Sequence, residues 1–131
     1  MRASAEILKN IIMSEILKQY KVKFSNPKDS FMKDISTINE TMSAFIWDHY
    51  THSTVNSLLS FINDKINSNS SVFEEVYTQG EALALINKTT TKIYIDMNAY
   101  GQSNNITPDY TLPTADFKVI VEAWRDYLQQ N

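Results

Sequence analysis

The stretch Thr114-Ala115-Asp116-Phe117-Lys118-Val119-Ile120-Val121-Glu122-Ala123-Trp124-Arg125-Asp126-Tyr127-Leu128 decides the fold. Phe117, Ile120, Val121, Trp124, Tyr127 and Leu128 recur at helical spacing and form one apolar stripe. Lys118, Glu122, Arg125 and Asp126 mostly turn away from it. Thr114 is a good N-cap, and Asp116 stands in the first turn, where the helix dipole favours an anion. The chain is therefore expected to end in an amphipathic helix that packs on whatever precedes it.

What precedes it reads as strands. Val72 to Thr78, Ala82 to Asn87 and Lys92 to Met97 are short runs rich in β-branched and aromatic residues. Gln79-Gly80 makes a tight turn between the first two, and Asn87 to Thr91 separates the next two. The spacing predicts a three-stranded antiparallel meander. In its third strand Ile93, Ile95 and Met97 alternate with Lys92, Tyr94 and Asp96, so the first set is expected to face the core. Gly101 to Tyr110 reads as an irregular loop.

Working back towards the start, residues 1–70 read as about three helices. Ile7, Leu8, Ile11, Ile12, Met13, Ile16, Leu17 and Tyr20 mark the first, most of them on one broad stripe. Asn26-Pro27 breaks it. A second helix is expected from about Lys28 to Tyr50, with Ile35, Ile38, Met42, Phe45, Ile46 and His49 on its apolar face. A third is expected from about Ser53 to Asn67, with Val55, Leu58, Leu59, Ile62 and Ile66 as its stripe and Ser53 or Thr51 as N-cap. No Gly or Pro separates these two, so residues 28–67 form either two helices or one bent one. The expected architecture is α+β, a single domain over residues 1–131: a helical N-terminal half, the meander, and the C-terminal helix packed on the sheet.

Composition narrows the function classes. The chain has 131 residues, 43% hydrophobic and 21% charged, which fits a globular domain with its own core. Cysteine is absent, which removes disulfide frameworks, zinc ribbons, iron–sulfur sites and thiol nucleophiles. The net charge is −3, which argues against direct nucleic-acid binding. It is unevenly spread: residues 1–33 hold seven basic side chains and three acids, and the remainder holds five basic and twelve acidic ones. Glu6 and Lys9 stand where the apolar core of a secretory signal belongs. No apolar run approaches the ~20 residues needed to cross a bilayer. A cytoplasmic protein away from the membrane is expected.

No catalytic grouping is legible. The histidines are His49 and His52, beside Asp48. Their spacing could bring two imidazoles and a carboxylate to one metal, but His49 lies on the apolar stripe and reads better as a core histidine. There is no Walker loop, dinucleotide glycine fingerprint or G-x-S-x-G elbow. Glu74 and Glu75 are adjacent and point to opposite faces of a strand, which does not suit a glycosidase pair. A non-enzymatic protein without metal or cofactor is expected.

Tyrosines interleaved with acids are the one suggestive constellation. Glu74, Tyr94, Asp96, Tyr100, Asp109 and Tyr110 fall in the strand and loop region, and they are the candidate partner-binding residues. Tyrosine buries a large ring at low entropy cost and keeps a hydrogen bond, and carboxylates suit a basic protein partner. The rival site is the basic segment from Lys18 to Lys33.

Residues 92–129 carry a resemblance. Ile93-Tyr94-Ile95-Asp96-Met97-Asn98, then Tyr110-Thr111-Leu112-Pro113-Thr114-Ala115-Asp116-Phe117, then a terminal helix with Trp124-x-x-Tyr127-Leu128, resembles small bacterial immunity proteins. These are cytoplasmic inhibitors of polymorphic or contact-dependent growth-inhibition toxins. The resemblance implies a non-enzymatic protein of bacterial competition. It would bind one cognate toxin domain, commonly a nuclease, and occlude its active site or substrate path. The alternative reading is a non-enzymatic adaptor or regulatory protein-binding domain.

Overall fold

The computed structural model describes residues 2–27, 32–103 and 105–130. Its last helix, α5 (Thr114–Gln129), carries the expected stripe into the core: Phe117, Ile120, Val121 and Trp124 are buried. Packed against them are Met42, Phe45 and Ile46 of α2 (Glu40–Trp47) and Val55, Leu58, Leu59 and Ile62 of α3 (His52–Ile66). The Trp124 indole N–H donates to the carbonyl of His49 at 2.9 Å, between α2 and α3. A hydrophobic ring of this size is thus buried with its one polar atom satisfied. On its other side Phe24 stacks on Tyr127, with ring centroids 4.9 Å apart.

Polar contacts fix both ends of α5. The N-cap position is Pro113, not Thr114. Thr114 is the first helical residue and is fully buried, and its hydroxyl donates to the Asn87 carbonyl at 2.9 Å and meets the Thr91 hydroxyl at 2.9 Å. At the far end the Lys33 ammonium donates to the carbonyls of Tyr127 and Gln130. A cation there complements the negative end of the helix dipole. Tyr20, at the end of α1 (Arg2–Gln19), donates its hydroxyl to Asp116 at 2.6 Å. Burial, and then this bond to a carboxylate, push the Tyr20 phenol well above its ordinary range.

The sheet has four antiparallel strands, not three. Its order is β3 (Glu74–Tyr77), β4 (Leu83–Ile86), β5 (Thr90–Tyr94) and β6 (Tyr110–Pro113). The added strand β6 is the Tyr-Thr-Leu-Pro segment that leads into α5. It pairs with β5 through Thr91↔Leu112 and Ile93↔Tyr110. Val76, Ala84, Ile86, Ile93 and Leu112 face the helices. The opposite face is covered as well: Leu83, Leu85 and Tyr94 pack under Phe73, Met97, Tyr100 and Ile106. That is why β4 is buried at every position. The strand β5 ends at Tyr94, so two expectations for the third strand fail. Ile95 leaves the sheet and is exposed, and Met97 opens a short helix, α4 (Met97–Gln102), over the back face.

The N-terminal half departs most from its sequence reading. Residues 28–31 lie outside the described residues, but Asp34–Ser36 is a strand, β2, not part of a helix. It pairs with β1 (Lys23–Ser25), with Phe24 opposite Ile35. Ile35 is buried between exposed Asp34 and Ser36, the period of two that a short strand requires. Helix α2 starts only at Glu40, because the Asn39 side chain accepts from Met42 N at 2.9 Å and caps it. The α2–α3 alternative resolves as two helices. Thr51 caps the second through a reciprocal pair of bonds with Thr54.

Because Trp124 is buried and its N–H is committed to His49, Trp124→Ala leaves both a cavity and an unpaired carbonyl. The substitution should destabilise the protein by about 3–5 kcal/mol. Chemical denaturation followed by far-ultraviolet circular dichroism checks this, and an unchanged midpoint would place α5 outside the core.

Candidate functional site at the acidic end of the sheet

The register brings one end of the sheet together from distant segments. Tyr77, Leu83 and Tyr94 lie side by side as the last row of β3, β4 and β5. Beyond that row, the turn after β3 closes with Thr78 N donating to Ala82 O at 3.1 Å. Glu81 sits in this turn with φ 72°, a left-handed conformation that few non-glycine residues adopt. Its carbonyl accepts from Met97 N at 2.9 Å, which holds the turn against the chain leaving β5.

Asp96 and Asp109 stand beside it, each exposed and each committed to the backbone. Asp96 caps α4, accepting from Asn98 N at 2.9 Å and Ala99 N at 3.1 Å. Asp109 accepts from Ile95 N at 2.8 Å, while its own N–H donates to the Ile93 carbonyl. These bonds fix the carboxylates in place. Ile95, between Asp96 and the Asp109 carboxylate, is 56% exposed.

A groove of about 240 Å³ adjoins this end, lined by Asp48, His49, Tyr50, Thr51, Thr54, Tyr77, Thr78 and Gln79. Gly80 packs so closely on Asp48 that a Cβ there would fall 2.5 Å from Oδ2. A larger residue at that turn would push the Asp48 carboxylate aside, and the contact ties the α2–α3 junction to the strand turn. The described residues of segments 45–55, 76–84 and 93–110 build the surface. They contain Asp48, Glu81, Asp96 and Asp109 and no lysine or arginine.

The six residues singled out from the sequence do not all meet here. Asp96 and Asp109 do. Tyr94 is 4% exposed, under Tyr100 at a ring-centroid distance of 5.0 Å, and offers a partner almost no surface. Tyr100 is half-buried in the same back-face cluster. Tyr110 is half-buried against the helical core, because its pairing with Ile93 turns it to that face. Glu74 lies at the other end of β3, opposite Ile86, and is ion-paired with the buried Lys65 of α3. The candidate partner-binding set left out Asp48, Glu81 and Ile95. Turn chemistry at Gln79-Gly80 hinted at the exposure of Glu81, whereas Ile95 read as a core residue.

His49 is buried, with Nδ1 2.8 Å from the Phe45 carbonyl, a geometry in which Nδ1 carries the proton. His52 is exposed. Among the described residues no group of three histidine and carboxylate side chains could hold a metal ion. Among them also, no helix is long and apolar enough to cross a membrane. Comparison with protein-family models, with curated proteins and with solved structures returned no match to this chain.

Burial lowers the His49 pKa, with the Phe45 carbonyl and Asp48 offsetting part of the effect. The folded protein therefore holds fewer protons at this site than the unfolded chain. The His49 contribution to stability is complete above the unfolded value of 6.5, and it is lost as the pH falls from there towards the lowered folded value. Denaturation midpoints between about pH 5 and 8 should fall on the acid side, and His49→Gln should flatten that slope. Equal slopes for the two proteins would show that His49 does not titrate differently on folding.

Proposed function

We propose that the protein is an immunity protein. It would act in the cytoplasm by binding a cognate toxin domain, of nuclease type, and occluding its active site or substrate path. The observation that carries this reading is the sheet end, where a half-exposed isoleucine stands among backbone-anchored carboxylates with no lysine or arginine in the segments that build it. A nuclease presents basic groups where it holds phosphate, and fixed carboxylates compete for them. An apolar anchor inside a charged rim is also the usual arrangement of a protein-binding hot spot. Opposite charges would speed encounter, and the desolvated Ile95 would set the lifetime of the complex. The resemblance of residues 92–129 to immunity proteins supports the same reading.

The test begins with affinity capture of the partner from the source organism and its identification by mass spectrometry. Co-expression of the captured toxin domain with this chain then reads growth. A one-to-one complex and restored growth are expected. A captured partner whose activity is unchanged by binding would favour an adaptor instead.

Asp96→Asn and Asp109→Asn keep the backbone hydrogen bonds and remove the charge. Together they should slow association and weaken its dependence on salt. Ile95→Ala should raise the dissociation rate about tenfold, equivalent to about 1.4 kcal/mol. Lys21→Glu with Lys23→Glu should change little. If the lysine changes abolish binding and the aspartate changes leave it intact, the surface lies at the N-terminal basic segment.

A further inference from the structure

Among the described residues, helix α1 is anchored only at its C-terminal end. Ile16 and Leu17 pack on the core and Tyr20 is buried, whereas residues 4–12 are exposed on every side. At 1.5 Å per residue about 14 Å of helix stands clear of the body. So short a helix is marginal in water without tertiary cover. Yet its exposed part carries Ile7, Leu8, Ile11 and Ile12, between 52% and 60% exposed. With 3.6 residues per turn, these four form one stripe about 160° around the helix from the side that meets the core. The described part of the body therefore leaves the stripe unobstructed.

We propose that this stripe pairs two copies of the chain through antiparallel α1 helices. The stripe is self-complementary. Its pattern, apolar-apolar-x-x-apolar-apolar, reads the same in both directions about the midpoint between Lys9 and Asn10. An antiparallel pair centred there sets Ile7 against Ile12 and Leu8 against Ile11 of the second copy. The charges select the same arrangement. Glu15 lies along the stripe, and in the antiparallel register it falls opposite Ser4 of the second copy, in the first turn of that helix. The first turn of α1 contains no acidic residue of its own, so the positive end of each helix gains its anion from the other copy. A parallel pair would instead stack Glu15 on Glu15 and Lys18 on Lys18. The two-fold contact is isologous and closes at two copies. Four aliphatic side chains per copy make a small interface, so the dimer forms at high micromolar concentration and not at nanomolar.

This surface is separate from the acidic sheet end, and the experiment needs no toxin. Sedimentation equilibrium from about 10 μM to about 1 mM should show a concentration-dependent shift from monomer to dimer. Ile11→Glu should abolish the shift, with the circular dichroism spectrum and denaturation midpoint of the body unchanged. Glu15→Lys should weaken it, and Lys9→Glu, on another face, should leave it intact. The chain has no cysteine, so orientation can be read directly. An equimolar mixture of Leu8→Cys and Ile11→Cys proteins should oxidise to the mixed disulfide in excess over either homodimer. A monomer across the whole series would overturn the proposal, and co-sedimentation of that monomer with phosphatidylserine vesicles would assign the stripe to a lipid surface. Mixed and like disulfides in statistical proportion would overturn the antiparallel arrangement.

Discussion

The hydrogen bond from the Trp124 indole to the His49 carbonyl joins the last helix to the link between α2 and α3. The helical ladder is interrupted at that link, and His49 is buried, so its carbonyl needs a donor from elsewhere in the chain. Trp124 supplies the missing donor, and its ring fills the space between Phe24 and the helices. An unpaired buried carbonyl is costly, so the bond makes the helical half and the C-terminal helix depend on each other. At the start of α5 the Thr114 hydroxyl does the same for the β4–β5 turn. The Asn87 side chain completes that turn, accepting from Thr90 N and donating to the Ser71 carbonyl. Sheet, helices and final helix are thus locked through buried groups that lie far apart in sequence.

This locking gives the acidic end its rigidity. The strand β4 is covered on both faces, and the segment that covers its back face is the one that carries Asp96 and Asp109. The carboxylates are held by backbone N–H groups, so their positions follow from the sheet register and not from flexible side-chain choice. Holding charges in a fixed array reduces the ordering cost of association. The same closure expels Ile95 from the sheet, because Asp109 takes the Ile95 N–H and diverts the chain before another strand row can form.

The two poles of the molecule contrast. At the sheet end, charge is concentrated and the backbone is tightly bonded. At the N-terminal pole, helix α1 exposes aliphatic residues and is tied down at Tyr20 and its neighbours. The helix pattern there contains two apolar faces, and only the one bearing Ile16, Leu17 and Tyr20 finds the core. Periodicity alone counts both faces as one broad stripe.

Long amphipathic elements were legible in the sequence because their burial follows local spacing. The stripe of α5 and the stripe and Thr51 cap of α3 needed no knowledge of the rest of the chain. The turn at Gln79-Gly80 was equally local, and the mixed α+β class followed from such local patterns. Tertiary structure decided what depends on pairing between distant segments. Asp34–Ser36 became a strand because Phe24 lies opposite Ile35, although Ile35 and Ile38 have helical spacing. Tyr110–Pro113 became the fourth strand because the edge of β5 needed hydrogen-bond partners. Alternation identified Tyr94 and Ile95 as opposite-facing, but it could not tell that both faces of the sheet are covered or that the strand stops between them. Tyr94 is therefore buried and Ile95 exposed. Local spacing sets which way a side chain points, and only the packed structure sets what it meets there.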